Sequence, residues 1–241
     1  VLYVLFIILC SVFFNLYFNS YLKFQDQIMM QQMRMGGQGP QLPNFTEFVL
    51  LGITNVMTFI LLFILPMLSM RLFSEEKKMG TIELMMTYPI KDIEVLLGKF
   101  FAVLTVFVGM LVLTLTYPGL TYIIDSSQTY FPAILASYFG VFLVGTSFLS
   151  LGIFASALTD NQLIAGVISF SLLLVLWMIG FVDEIYPGII GEICNEISVF
   201  SHFETFSKGV VDTGHVAYYV LFSVFFLFIT LRILESNRWR G

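Results

Sequence analysis

The residues of this sequence that could do chemistry begin with one serine and one histidine. Ser147 lies in the run VGTSF, inside a long apolar segment, and His202 lies in SHFET, just before the last such segment. A serine hydroxyl beside a histidine base is the arrangement that activates a nucleophile for acyl transfer. The pair therefore defines one alternative function, proteolysis inside a membrane.

The surroundings of the two residues do not match those of the proteases that they resemble. In rhomboid-type intramembrane proteases the nucleophile motif is G-x-S-G, and here Phe148 follows Ser147. The histidine of those enzymes lies within a late membrane span, whereas His202 precedes one. Ser147 is better explained as a hydroxyl that bonds the backbone of its own helix.

The other reactive side chains are too few for a reaction site. His202 with Glu204 could bind a metal or sense pH, but two ligands do not make a firm site, and a cap and turn before the last helix explain them better. Asp160 lies in the polar turn TDNQ, where a cap is expected rather than a proton relay. Cys10 and Cys194 form no motif, and there is no Walker A sequence GxxxxGK[ST], so no metal site and no ATP site are expected in this chain.

The composition indicates a protein whose solvent is mostly lipid. Of 241 residues, 58% are hydrophobic and only 11% are charged, against about 25% charged in soluble domains. The mean hydropathy is +0.92. A surface so poor in charge could not be hydrated. The net charge of -5 argues against nucleic acid as a partner.

Six segments are long and apolar enough to cross a bilayer, which takes about 20 residues of helix. Their hydropathy does not alternate as it does in barrel strands, so helices are expected. The TDNQ turn predicts an antiparallel hairpin, Pro118 and Gly119 are expected to break the third segment near its end, and Pro132 to start the fourth. The sequence thus predicts one transmembrane domain over residues 1–241, with spans at about 1–18, 48–70, 96–117, 132–158, 162–182 and 215–234.

The first span begins without a leader. Val1 already lies in an apolar run, and residues 1–18 show neither a basic segment nor a small-residue cleavage site, so a span is expected there rather than a signal peptide. A cytoplasmic N-terminal piece is expected to be missing.

Lysine and arginine set the expected orientation, because they accumulate in cytoplasmic loops. With both termini inside, eight of these residues face the cytoplasm and three face outward. The inner ones are Arg71, Lys77, Lys78, Lys91, Lys99, Arg232, Arg238 and Arg240, and the outer ones are Lys23, Arg34 and Lys208.

The first and the third outer loops are predicted to differ in structure. Residues 19–47, rich in Gln, Met and Gly, are not expected to pack. In residues 183–214, isoleucines recur every four positions and the acids lie off that stripe, which predicts short amphipathic helices in the outer membrane interface. The stripe consists of Ile185, Ile189, Ile193 and Ile197.

The most informative segment is RLFSEEKKMGTIELMMTYPIKDIEVLLGK, residues 71–99, between the second and third spans. It holds five of the eleven basic residues and five acids. Ser74 is expected to cap one short helix and Thr81 a second, with a sharp change of direction at Gly80 and a stop at Pro89. Such a stiff elbow could transmit force from a soluble partner into the bilayer.

Four stretches resemble, in order, the permeases of ABC-2 type transporters. EEKKMGTIELMMTYPI is similar to the pattern E-E-x-x-x-G-T-x-E-x-x-x-x-x-P after their second span, and LLGKF to the start of their third. LGIFASALTDNQLIAGVISF resembles their hairpin between spans four and five. FSHFETFSKGVVDTGHVAYYV and LRILESNRWRG resemble the branch of the gliding-motility and nitrous-oxide-reductase-maturation permeases. The resemblance covers residues 71–241, and the first two spans fit in position.

The resemblance implies six transmembrane helices of ABC-2 exporter type, a cytoplasmic coupling helix, and short interfacial or re-entrant helices before the last span. It implies a homodimer or heterodimer that binds ABC ATP-binding subunits, which carry the ATP and Mg, while the permease binds no cofactor. Family members also begin with a cytoplasmic amphipathic helix, which this sequence lacks. The residues implied in coupling to the ATPase are Glu75, Glu76, Gly80, Thr81, Glu83, Leu84 and Pro89.

The expected function is therefore that of a permease subunit, not an enzyme. It would couple ATP hydrolysis on a partner to export or mechanical work across the bacterial inner membrane. A rhomboid-like intramembrane protease and a passive membrane scaffold or channel are the alternatives. The protease requires Ser147 and His202 to lie within hydrogen-bond reach, and the scaffold requires indifference to nucleotide.

Overall fold

The structure is a computed structural model that describes residues 2–35, 40, 45–81, 91–124, 130–186 and 188–238. Over these ranges the chain is helical apart from turns, with no strand. Six helical stretches are long and apolar enough to cross a membrane. The predicted all-α membrane fold class is confirmed.

Eleven α-helices follow one another along the described ranges. A π-helical turn, Thr46–Leu51, leads into the second span, and a 3-10 turn, Ile179–Phe181, ends the fifth. The turn and short helix after the second span, residues 70–81, are called the elbow below, and the side of the bundle that carries it is the elbow end. In chain order the helices are α1 Leu2–Arg34, α2 Gly52–Ser69, α3 Ser74–Lys78, α4 Asp92–Thr114, α5 Thr116–Ile124, α6 Phe131–Leu158, α7 Gln162–Met178, α8 Val182–Ile185, α9 Ile189–Ile197, α10 Val199–Ser207 and α11 Thr213–Arg238.

Helix α6 is the centre of the bundle. In its most apolar window 78% of the residues are buried, the largest share among the six spans described. Its glycines allow close approach: a Cβ at Gly152 would lie 2.0 Å from Ser69 Oγ on α2, and one at Gly140 would lie 2.5 Å from Phe206 Cβ on α10. These contacts place α6 against the elbow end through α2 and against the opposite end through α10.

The first helix is longer than predicted. It runs from Leu2 to Arg34, through the first part of the segment expected to be an unpacked loop. The prediction gave weight to polarity, but this stretch is made of good helix formers such as Gln, Met and Leu, and no glycine or proline occurs after position 18 until Gly36. At 1.5 Å per residue the helix is about 50 Å long, more than a bilayer core of about 30 Å requires.

The third span is interrupted as proline chemistry requires, slightly before the predicted position. Helix α4 ends at Thr114 and α5 begins at Thr116. Pro118 has no N–H to donate to the carbonyl of Thr114, four residues earlier. The Tyr138 hydroxyl on α6 donates to that carbonyl instead, at 2.9 Å. A tyrosine on the neighbouring span therefore supplies the hydrogen bond that the proline removes.

The predicted hairpin between the fourth and fifth spans is confirmed. Helix α6 begins with Pro132 in its first turn and ends at Leu158, and α7 begins at Gln162. The cap was assigned to the wrong residue, however. Asn161, not Asp160, caps α7, because its side-chain oxygen accepts from Leu163 N at 3.0 Å.

Candidate functional site

The short helix of the elbow is followed by a turn with a glycine in an unusual backbone conformation. This helix, α3, ends at Lys78, and Gly80 has φ +69°, in the left-handed region where a Cβ is strained. Ser74 does not cap α3 as predicted. It is the first residue of the helix, and its hydroxyl donates to the carbonyl of Met70 in the preceding turn.

The cap of α3 comes from another span. Ser156 Oγ, near the end of α6, accepts from Phe73 N at 3.0 Å and from Ser74 N at 3.1 Å, and it donates to Met70 O at 2.9 Å. The N–H groups at the start of a helix have no partner within that helix. Ser156, Phe73 and Ser74 are all fully buried, so water does not replace this hydroxyl.

A lysine makes the second joint between the elbow and α6. Lys77 Nζ donates to the carbonyl of Ala157, in the last turn of α6. The last carbonyls of a helix lack partners and carry a partial negative charge, so a lysine at that position is stabilising. The end of α6 is therefore bonded to the elbow twice, through the Ser156 hydroxyl and through the Lys77 ammonium group.

An ion pair makes the third joint, to the start of α4. Lys99 Nζ donates to Glu76 Oε1 and to Leu72 O, and it lies 4.8 Å from the centre of the Phe73 ring. The Lys99 and Glu76 side chains are 18% and 29% exposed. Glu76 Oε2 is buried and has no partner among the described residues. Removing Lys99 would leave a poorly solvated carboxylate, which is costly.

The predicted coupling residues divide into three groups. Glu76 is engaged by Lys99 of α4, and Glu75 is half-buried beside it. Gly80 and Thr81 are exposed at the tip, where Thr81 Oγ1 donates to Glu76 O at 3.3 Å. Glu83, Leu84 and Pro89, with the second short helix predicted there, lie in residues 82–90, outside the described residues.

At the opposite end, the predicted isoleucine stripe is carried by two short helices. Ile185 belongs to α8, whereas Ile189, Ile193 and Ile197 belong to α9. Ile189 is 76% exposed and Ile193 55% exposed, so the other described spans do not cover this face. Glu192 on the same helix is exposed as well. The helix is therefore amphipathic, with an apolar face open to its surroundings.

Ser147 and His202 do not form a nucleophile and base. Ser147 Oγ donates to Leu143 O in its own helix at 3.1 Å and lies 3.3 Å from Ser223 Oγ, as expected for a hydroxyl that bonds backbone. His202 instead contacts His215. The carboxylate of Glu204 pairs with Lys208 at 2.7 Å. Within the described residues, no group of three or more His, Cys, Asp or Glu side chains is placed to hold a metal ion.

Sequence reasoning missed the residues that hold the elbow. Ser156 lies in FASAL, whose small residues indicate only close helix packing, and by position in the sequence Lys99 is one more predicted cytoplasmic positive charge. The predicted hairpin at TDNQ brings the last turn of the fourth span close to the elbow. Ser156 in that turn is therefore the sequence signal that could indicate a contact with the elbow.

Comparisons with known proteins agree with this architecture. A family model described as ABC-2 family transporter protein matches residues 1–234. No curated protein matches the chain, and no solved structure does. The family match takes in all six spans and the elbow between the second and third. The chain belongs to the ABC-2 family of transporter proteins, the membrane permease components of ABC transporters.

Proposed function

We propose that the elbow is the docking point of a separate ABC ATP-binding subunit, and that the chain couples ATP hydrolysis on that subunit to export or mechanical work across the membrane. The observation that carries the proposal is the bond from Ser156 to the elbow backbone. It ties the elbow to α6, the most buried of the described spans. ATP and Mg would be held by the partner and not by this chain.

Stiffness is the first requirement of a coupling element. The elbow continues covalently from α2, the Lys99–Glu76 pair joins it to α4, and Ser156 and Lys77 join it to α6. A displacement of the elbow therefore has to move three spans or break these bonds. Packed helices with two discrete arrangements can carry such a displacement across the membrane.

An accessible tip is the second requirement. Lys78, Met79, Gly80 and Thr81 are exposed, and Met79 is 63% exposed. Glu76 has its carboxylate on Lys99, so its proposed role is to hold the elbow rather than to contact the ATPase. Glu75, Gly80 and Thr81 remain proposed docking residues, together with Glu83, Leu84 and Pro89.

The proposed orientation puts the elbow and both termini in the cytoplasm of a bacterial cell. Its support is the excess of lysine and arginine in the segments predicted to be cytoplasmic, eight residues against three in the sequence. The stripe of Ile189, Ile193 and Ile197 would then lie at the outer membrane interface, where an exposed apolar face with flanking acids is stable.

A second permease copy is the proposed partner within the membrane. Ser11, Asn15 and Asn19 recur every four residues on α1 and are exposed. Ser11 is hydrogen-bonded with Tyr117 of the third span, whereas Asn19 Nδ2 donates to Asn15 O and Oδ1 within α1 itself. Amides facing lipid are unfavourable, and polar side chains commonly join transmembrane helices.

The gliding-motility and nitrous-oxide-reductase-maturation branch is proposed from the C-terminal motifs alone.

The docking proposal is tested by co-purification with the ATP-binding subunit expressed beside the permease. Lys78→Glu reverses an exposed charge at the tip and should lower the amount of bound ATPase about fivefold, since an exposed pair is worth up to about 1 kcal/mol. Gly80→Pro should lower it further, because proline cannot adopt a φ of +69°. Lys208→Glu, an equal charge change at the opposite end, is the control and should bind as wild type does. Unchanged ATPase binding in both elbow variants would contradict the proposal.

A further inference from the structure

The two histidines of the chain meet at the end of the bundle opposite the elbow. His202 is on α10 and His215 is in the first turn of α11, and their Nδ1 atoms are 2.7 Å apart. His202 is 7% exposed. His202 Nε2 lies 3.0 Å from Glu196 O, and Thr205 Oγ1 lies 3.1 Å from His215 Nε2. These four groups make one continuous chain of hydrogen bonds, called the histidine pair below.

The partners fix where the protons are. A backbone carbonyl only accepts, so His202 Nε2 carries a hydrogen and donates to Glu196 O. The Nδ1 of a neutral His202 is then an acceptor, and His215 Nδ1 must donate to it. The Nε2 of a neutral His215 accepts from the Thr205 hydroxyl. All three bonds are satisfied when both rings are neutral.

This arrangement has room for one added proton but not for two. A proton on His215 Nε2 keeps the bond to His202, because the Thr205 hydroxyl can rotate and accept instead of donating. A proton on His202 must go to Nδ1, where it would face the N–H of His215 at 2.7 Å. That contact has two donors and no acceptor, and it adds repulsion between two charged rings when both are protonated.

The histidine pair joins three helices that have few other polar contacts. His202 bonds the end of α9 through Glu196 O and the start of α11 through His215. The Tyr218 ring of α11 lies 4.0 Å from the His202 ring, and its hydroxyl donates to Ile197 O at 2.7 Å. Tyr219 donates to Val199 O at 2.6 Å. The seating of α9 and α10 against the last span therefore rests on the histidine pair together with these two tyrosine hydrogen bonds.

We propose that the histidine pair is a proton-sensitive latch, which holds α9 and α10 against α11 while at most one ring is protonated and releases them when both are. The inference concerns the end opposite the elbow and does not depend on the docking of an ATPase. The observation behind the proposal is the 2.7 Å distance between the two Nδ1 atoms, which places two N–H donors against each other when both rings are protonated.

The charged groups around the pair do not offer the second proton an alternative acceptor. The Glu196 carboxylate favours the charged form of His202, and His215 disfavours it. Glu204 is paired with Lys208, and α7 and its 3-10 turn carry no titratable group. The other titratable groups on the surrounding elements at this end of the bundle include Tyr138 on α6, Asp183 and Glu184 on α8, Tyr186 after it, Glu192 and Cys194 on α9, Asp212 before α11, and Tyr218 and Tyr219 on α11.

The direction of the pH dependence follows from burial. Burial, helped by the neighbouring His215, lowers the pKa of His202 below its ordinary value of 6.5, and the hydrogen bond to Glu196 O and the Glu196 carboxylate only partly offset this. The released form, with His202 in water, therefore binds more protons than the latched form in acid. The latch is at full strength above about pH 6.5 and weakens as the pH falls below it.

Hydrogen exchange of the full chain in lipid nanodiscs, read on peptides from α9 and α10, tests the latch. After correction for intrinsic rates, protection in wild type should be constant from pH 8 to 7. It should then fall by up to about tenfold per pH unit in acid, the slope for one extra proton taken up on opening. Protection in α6 should stay constant. A wild-type profile without this fall would overturn the proposal.

Two variants separate the latch from general acid sensitivity. His202→Gln keeps an N–H that can reach Glu196 O but cannot be charged. His215→Asn can turn its amide oxygen toward a protonated His202 Nδ1, which gives that proton an acceptor. Both should remove the fall in acid, and Glu204→Gln, on the exposed face of α10, should keep it. If His202→Gln does not fold, His215→Asn decides alone. An acid loss of protection that persists at wild-type size in the folded histidine variants would contradict the latch.

Discussion

Ser156 Oγ accepts a hydrogen bond from the backbone nitrogen of Phe73 at 3.0 Å, across 83 residues of sequence, and so caps the start of α3. The same oxygen serves Ser74 N and Met70 O. A cap taken from the helix's own sequence would leave the elbow free to move apart from the bundle. A cap taken from α6 makes the start of α3 and the end of the central span one unit.

The Lys99–Glu76 pair should contribute measurably to stability. Lys99→Met leaves a half-buried carboxylate without its cation and should lower the free energy of unfolding by about 1–3 kcal/mol. Adding Glu76→Gln should recover part of the loss, because the uncompensated charge is then gone. Chemical unfolding in detergent measures both. Arg232→Met, which breaks the exposed Arg232–Glu235 pair, is the control and should cost less than about 1 kcal/mol. Equal losses for Lys99→Met and Arg232→Met would show that the elbow pair has no special role.

Cysteine labelling should place the elbow in the cytoplasm. In a background with Cys10 and Cys194 replaced, Lys78→Cys and Lys208→Cys present exposed thiols at the two ends of the bundle. An impermeant reagent added to intact cells should label position 208 and spare position 78, because lysine and arginine are concentrated at the elbow end. The opposite labelling pattern would invert the proposed topology.

The exposed face of α9 should contact lipid. Ile193 is 55% exposed, and the fluorescence of the tryptophan in Ile193→Trp should be quenched by brominated lipids in vesicles. Glu192→Trp, one position around the same helix, should be quenched less. Equal weak quenching at both positions would mean that this helix stands away from the membrane.

The fold could be predicted where local signals decide it. Apolar segments of membrane length gave the six spans, a four-residue polar turn gave the α6–α7 hairpin, and Gly80 marked the turn of the elbow. The predicted first helix is too short because the polar residues after position 18 suggest a loop, whereas their helix propensity continues α1 to Arg34. A helix that leaves the membrane can continue in water when its residues favour it.

The joints of the site could not be predicted, for a different physical reason. A hydroxyl can bond any backbone group that packing brings near it, so Ser156 carries no mark of its partner. Lys99 and Glu76 are 23 residues apart, and many other pairings of the same charges were possible. The meeting of His202 with His215 depends on how α10 seats against α11, which apolar periodicity does not specify.

The most direct test of the account measures ATP hydrolysis in liposomes that contain the permease and its ATP-binding subunit. Ser156→Ala leaves two buried N–H groups without an acceptor, at a cost of about 1–3 kcal/mol each, and it should loosen the elbow, which only Lys77 of the described joints then holds to α6. Ser150→Ala is the matched control, because Ser150 is a buried serine of the same helix whose hydroxyl donates to Ser147 O, one turn earlier. Ser156→Ala should keep its bound ATPase but lose most of the stimulation of hydrolysis by the permease, while Ser150→Ala should match wild type. Wild-type stimulation in a folded Ser156→Ala permease would contradict the claim that force passes from the elbow into α6.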